Sequence, residues 1–368
     1  HGPKDTRRRG VHDSMNIKAA TKTYEVRFES DFSFVRKLAD TPNAFFVVDQ
    51  NVWDLYQDEL SVIPENALYK LEAVEGNKVI ETALSICESM VQMNAKRNAH
   101  LISLGGGITQ DVTGFAANIL YRGIAWTFVP TTLLAACDSC IGGKTSLNYK
   151  SYKNLLGTFF PPDVIHICPL FFKTLSRSDL ESGLGEVVKF NVMGGSQTLG
   201  AIESALPDLL DLEAGVVNAF VRNSLDFKKG IIEEDEFDGG KRVLLNFAHT
   251  FGHAFEASSE YRIPHGSAVA LGMVSANAVS RSRGMLDDEL DGRVKVLVKA
   301  IMPAYAPSLI RDEAVLAAIR KDKKQVGEQL TAVLMDNGQD LYVVHDMTEN
   351  EVRLACDAAR DFLAGIEE

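Results

Sequence analysis

The sequence predicts an α/β chain in two parts: a mostly parallel sheet covered on both faces by helices, then an α-helical second half. Three observations lead there. Short β-branched or aromatic runs alternate with helical stretches through the first half. Those runs stop at Asp, Gly or Pro. From about Leu175 onward helical periods dominate, separated by turns such as Asp238-Gly239-Gly240. Length agrees with two parts, because the chain has 368 residues and single cores stop growing at roughly 250–300.

Residues 1–14 show no hydrophobic period and are expected to be a vector-derived or disordered tail. Tyr24–Phe28 then reads as a strand, and Phe45–Asp49 as a buried one. A helix follows from Val79 to Met93. His100–Leu104 is a strand that runs into Gly105-Gly106-Gly107, and Ala125–Val129 is a strand stopped by Pro130. Helices are expected over Leu180–Val192, Val216–Glu234 and Ala268–Arg281. The boundary between a nucleotide-binding part, residues 15–173, and a helical part, residues 174–368, falls near Phe172–Ser176.

Composition excludes several functions. A formal net charge of −12 argues against nucleic-acid binding, which needs a basic footprint. No apolar run approaches the ~20 residues of a membrane span. The polar, Arg-rich start lacks a signal-peptide core, and the five scattered cysteines fit reduced thiols, so a cytoplasmic protein is expected.

Gly105–Gly107 after a strand, followed by Asp111, fits either a tight strand–helix turn or a phosphate loop. Glycines let a pyrophosphate approach the backbone, and a helix start supplies N–H donors. Asp49-Gln50-Asn51 and Thr131-Thr132 end two other strands, on the edge where such sheets bind ligands. Next, Asp138, Lys144, Asn148, Lys153 and Asn154 gather two lysines, two amides and a carboxylate in or near turns, where phosphate could be held. Cys137 and Cys140 form a lone CxxC, without the second pair that a structural zinc site needs.

The helical half holds His249, His253 and His265, three of the eight histidines. His249 and His253, four apart, share a helix face. Such a pair is a metal motif or a set of core and capping histidines. A catalytic ion wants about three protein ligands and an open position. Glu186, three residues before Lys189 on an otherwise apolar helix, is the candidate third ligand; the alternative is an i,i+3 ion pair.

The runs LGGGITQDVTGFAANILYRG, VPTTLLAACDSCIGGKTSLN with KNLLGTFFPP, SGLGEVVKF, and LLNFAHTFGHAFE followed by HG together resemble the dehydroquinate synthase family of sugar-phosphate cyclases. The resemblance covers roughly residues 40 to 330. It implies a Rossmann-like N-terminal domain, an all-α metal-binding C-terminal domain and an active site in the cleft between them. It implies a divalent metal, zinc or cobalt, on Glu186, His249 and His265. NAD is then expected at Asp49, Asn51, Glu75, Lys78, Gly105, Gly106, Gly107, Asp111, Thr131, Thr132, Asp138 and Lys153. Substrate is expected at Asp138, Lys144, Lys153, Asn154, Lys189, Lys228, Arg242, Asn246, His253 and Lys324. Among these Lys144, Lys189, Asn246 and His253, with Glu186, form the catalytic set. Arg122 matches an arginine that reaches the phosphate site of a neighbouring subunit, which implies a homodimer.

The implied reaction uses NAD catalytically. Oxidation of a substrate carbon acidifies the neighbouring C–H, phosphate is eliminated, the hydride returns, and an aldol closure forms the ring. Asn246 and the cations Arg242 and Lys228 suit a substrate carboxylate, and so 3-deoxy-arabino-heptulosonate 7-phosphate. Other cyclases of neutral or amino sugar phosphates, metal-dependent polyol dehydrogenases and non-catalytic homologues are the competing readings. Ala248, Ser267, Tyr152, Val74 and Gln110 depart from residues usual in the family, and all expected catalytic groups are present.

Overall fold

A computed structural model describes residues 13–322, 325 and 328–367. The expected tail therefore lies outside the described residues as far as residue 12. Ser14, its last residue, already begins a strand. The chain divides into two compact units. One holds the chain up to Pro130 together with Gly143–Leu170; the other holds Thr131–Gly142 and the chain from Phe171 onward.

In the first unit, seven strands form one sheet: β1 (Ser14–Lys18), β2 (Thr23–Phe28), β3 (Ala44–Asp49), β4 (Leu68–Leu71), β5 (His100–Gly105), β6 (Ala125–Pro130) and, after the hairpin described below, Val164–Ile167. The hairpin supplies β7 (Lys144–Tyr149) and β8 (Tyr152–Phe159), so the last sheet strand is β9. The order is β1-β2-β9-β6-β5-β3-β4. Only β1 and β2 pair antiparallel; every other neighbour is parallel. Phe45–Val48 and Leu101–Leu104 are buried without a break, as strands covered on both faces must be. Helices α1 (Ser33–Ala39), α2 (Gln50–Leu55), α3 (Gln57–Leu60), α4 (Ile80–Gln92) and α5 (Gly107–Ile119) connect them.

The register fixes the binding edge. Val48 is level with Leu104, and Gly105 is level with Pro130. The ends of β3, β5 and β6 therefore lie side by side. From β3 the chain goes outward to β4, then returns to β5 on the other side of β3. That reversal is a topological switch point, where open parallel sheets bind ligands at the carboxyl ends of their strands.

The sequence placed Lys144, Asn148, Lys153 and Asn154 in or near turns. All four lie in an antiparallel hairpin, β7 with β8. Its outer residues, Tyr152 to Gly157, are exposed, so the strands carry no apolar run to announce them.

The second unit is helical: α6 (Arg177–Met193), α7 (Ser196–Leu210), α8 (Ala214–Glu234), α9 (His249–Ser258), α10 (His265–Ser282), α11 (Asp288–Ile301), α12 (Asp312–Lys321) and α13 (Glu349–Glu367). It adds one antiparallel pair, β10 (Leu330–Met335) with β11 (Leu341–Met347). A π-helical turn, Ala135–Ser139, packs on α6 and α8. α10 is buried on all sides from Gly266 to Ser280, with small and apolar residues on every face and Ser267, Ser275, Asn277 and Ser280 buried among them. It packs on α6, α9, α11 and α13.

Two glycine crossings draw these helices together. A Cβ on Gly266 would lie 2.1 Å from the Ser182 Cα, and one on Gly185 would lie 2.5 Å from the Gly266 carbonyl oxygen. A Cβ on Gly272 would lie 2.2 Å from the Ala248 carbonyl oxygen. Such backbone approach tolerates no side chain. The residues beside these crossings are Glu186, His265 and His249.

Candidate active site

Glu186 points from α6 into the place where α9 and α10 begin. Its side chain is 0% exposed. Oε1 lies 2.9 Å from His249 Nε2 and 3.3 Å from His265 Nε2. Lys189 Nζ lies 2.9 Å from Oε2 of Glu186 and 3.1 Å from His249 Nε2, and donates to the Leu245 carbonyl at 2.9 Å. The rings of His249 and His253 are 5.0 Å apart between centroids, and His253 is 6.1 Å from His265.

Burial opposes ionisation of Glu186, but Lys189 and His249 outweigh it and hold the carboxyl well below the usual range. Burial, with Lys189, pushes His249 down and keeps its imidazole neutral, the ligating form. Burial also works against a charged His265, yet its contacts with Glu186 and Glu256 raise it to about 10.

Glu186, His249 and His265 offer one ligand atom apiece, all within 4.8 Å of one another. A tetrahedral zinc ion with bonds of ~2.0–2.1 Å separates its ligand atoms by about 3.3 Å. The observed 2.9 and 3.3 Å fit such an ion. An ionised carboxylate with two imidazoles suits zinc or cobalt chemically.

The other expected residues of this unit are held close by. Lys228 Nζ donates to the Asp138 carbonyl at 2.7 Å, to Asp138 Oδ1 at 2.8 Å and to the Ile141 carbonyl at 3.1 Å. Burial works against ionisation of Asp138, and Lys228 lowers it below the ordinary value. Arg242 is buried and donates to the carbonyls of Gly142 and Glu236 at 3.3 and 2.5 Å. Asn246 ends the short 3-10 helix Lys241–Asn246 just before α9. Thr131 is buried, and Thr132 Oγ1 accepts from the Ala135 N–H at 3.1 Å. Cys137 and Cys140 are wholly buried, and burial pushes Cys140 up to about 12, so both pack as inert thiols.

In the first unit, α5 starts at Gly107 with no side chain capping its N-terminus. A Cβ on Gly105 would lie 2.4 Å from Thr109 Oγ1, so the turn requires glycine there. Free helix N–H groups beside a bare backbone suit a pyrophosphate. Asp49 Oδ1 accepts from the Asn51 N–H at 2.8 Å, and burial raises its pKa. Lys78 Nζ meets Asp111 at 2.9 Å and Asn154 Oδ1 at 2.6 Å. Ser146 Oγ lies 3.3 Å from Asp111 Oδ2 and 3.0 Å from Asn154 Oδ1, its one proton serving either, and Asn148 Nδ2 donates to Glu75 at 2.8 Å. Burial raises Asp111 above its ordinary value despite Lys78. Glu75, Lys78, Asp111 and Asn154 are thus one network, joined through Ser146 and Asn148. Asn154, expected at the substrate, touches the expected nucleotide residue Lys78. Lys144, Lys153 and Arg122 are exposed. Lys324 lies outside the described residues.

Sequence reasoning missed Glu256 as a member of the cluster. Its Oε2 is 3.2 Å from His265 Nδ1. The signal was its spacing, three residues after His253 on the same helix face.

Most of the chain is similar to known proteins. Residues 68–182 match the family described as 3-dehydroquinate synthase N-terminal, and residues 183–325 match 3-dehydroquinate synthase C-terminal. A 3-dehydroquinate synthase of Clostridium tetani is 34% identical over 86% of this chain and 85% of its own length. One of Dictyoglomus thermophilum is 31% identical over 92% and 96%. Among solved structures, 2-epi-5-epi-valiolone synthase from Streptomyces hygroscopicus, with NAD+ and Zn2+ bound, superposes with a TM-score of 0.78. It is 25% identical and covers 92% of this chain and 97% of its own.

Proposed function

Because the chain belongs to the 3-dehydroquinate synthase family, we propose that it converts 3-deoxy-arabino-heptulosonate 7-phosphate to 3-dehydroquinate and phosphate. The observation that carries this reading is the buried Glu186 carboxylate meeting His249 and His265, in a chain that matches both halves of the family. Residues 15–173 form the NAD-binding part, which also brings Lys144, Lys153 and Asn154 to the substrate phosphate, and residues 174–368 form the metal- and substrate-binding part. The protein works as a cytoplasmic homodimer, Arg122 of each copy serving the phosphate held by the other.

A zinc ion held by Glu186, His249 and His265 would supply Lewis acidity toward a substrate hydroxyl. NAD along Asp49, Asn51, Glu75, Lys78, Gly105–Gly107, Asp111, Thr131, Thr132, Asp138 and Lys153 would supply a hydride acceptor that is restored in each turnover.

The side chains do the rest by charge and orientation. Lys189 brings a positive charge to the buried cluster and stabilises a substrate oxygen as it loses its proton. His253 moves a proton at its ring nitrogen. Asn246, Arg242 and Lys228 orient the substrate carboxylate, Arg242 being fixed by backbone carbonyls and Lys228 by two carbonyls and the Asp138 carboxylate. Lys144, Lys153, Asn154 and Lys324 hold the phosphate. As the C–O bond to phosphate breaks, the adjacent C–H proton passes to a phosphate oxygen.

A second reading, a cyclase of another sugar phosphate, is favoured by the valiolone synthase superposition. Phosphate release measured with three substrates separates the two. Release with 3-deoxy-arabino-heptulosonate 7-phosphate, and none with sedoheptulose 7-phosphate or glucose 6-phosphate, is expected. The reverse pattern assigns the second reading.

A further inference from the structure

Glu256 lies outside the set assigned to metal, nucleotide or substrate, yet it is part of the same cluster. α9 carries His249, His253 and Glu256 on one stripe, at spacings of four and three. Ligand atoms of His253, Glu256 and His265 lie within 4.8 Å of one another. The His265 ring stands between two carboxylates, with Nε2 at 3.3 Å from Glu186 Oε1 and Nδ1 at 3.2 Å from Glu256 Oε2.

We propose that Glu256 is a positioning residue for the metal site: it accepts the Nδ1–H of His265 and so turns the Nε2 lone pair toward Glu186 and the ion. This inference rests on reading Glu186, His249 and His265 as the metal set. Two physical arguments support it. An imidazole that ligates through Nε2 carries its proton on Nδ1, and that proton needs an acceptor to fix ring and tautomer. His265 has the greatest need of one. Its side chain is 30% exposed, against 14% for His249 and none for Glu186, so packing restrains it least. The second argument is charge. Lys189 neutralises Glu186 at 2.9 Å, and Glu256 adds a second carboxylate charge beside a bound dication.

The test is zinc and cobalt affinity, measured by chelator competition on the full chain, for wild type, E256A, E256Q and E256D. Loss of such an outer partner typically lowers metal affinity about 10- to 100-fold. That loss is expected for E256A, with E256Q intermediate because its amide oxygen still accepts, and E256D closest to wild type. Melting temperatures of the metal-stripped variants should match wild type. The visible spectrum of the cobalt form should shift in E256A and E256Q as the ring reorients. If E256A does not fold, E256Q decides. Metal affinity and cobalt spectrum unchanged in the folded variants would overturn the proposal, as would a loss of melting temperature alone. Wild-type protein that binds no metal would instead overturn the metal reading beneath it.

Discussion

At the carboxyl edge of the sheet the charged groups satisfy one another. Lys78 meets Asp111 and Asn154, and Asn148 meets Glu75. In the helical unit, Glu186 instead faces two imidazoles and Lys189 with no room to turn away, because the glycine crossings fix α6, α9 and α10. The first arrangement is a polar network at the edge proposed for the nucleotide. The second is a rigid set of donors aimed at one point. A nucleotide site built as the first can lose one member and bind more weakly. A metal site built as the second fails as a unit.

The largest expected effect follows from that contrast. Glu186→Gln removes the charge shared by Lys189 and both histidines, leaving a buried cation uncompensated. Turnover should fall about 1,000-fold, with metal content near zero by atomic absorption. Retained metal would show that the donors are not one unit.

Gly266→Ala should follow, because its Cβ would meet the Ser182 Cα at 2.1 Å. Separating α10 from α6 should cost about 3 kcal/mol in denaturant melts and weaken metal binding as well. An unchanged midpoint would mean that the crossing yields freely.

Asp111→Asn tests the other region. It should raise the KM for NAD about tenfold, equivalent to ~1.4 kcal/mol, and leave metal content untouched. Loss of metal in this variant would erase the distinction between the regions.

The smallest effect is at Ala248, which caps α9 with a left-handed φ of 69°. Glycine is the residue suited to that conformation. Ala248→Gly should stabilise the protein by up to about 1 kcal/mol, read as a small rise in melting temperature.

Much of the scaffold was readable because burial leaves a mark. Phe45–Val48 is an apolar run, Leu101–Leu104 is one but for Ser103, and α10 is mostly small and apolar between Gly266 and Val279. The β7–β8 hairpin was not readable, because its exposed polar strands look like loop. β1 was hidden by the polar sequence around it, although Met15 and Ile17 alternate inward. At the site, Glu186 and three clustered histidines stood out by rarity. The pairing of Lys228 with Asp138 could not be inferred from spacing, since 90 residues separate them. Glu256 was passed over because an acid three residues after a histidine on a helix is common, and its distance to His265 is what gives it a place.

The proposed cyclase uses NAD without consuming it. The most direct measurement is to count dehydroquinate formed per NAD in zinc-loaded enzyme given limiting NAD, while following nicotinamide absorbance. Many products per NAD, with no net NADH, is the predicted result. NADH accumulating one-for-one with product would contradict it and make the protein a dehydrogenase.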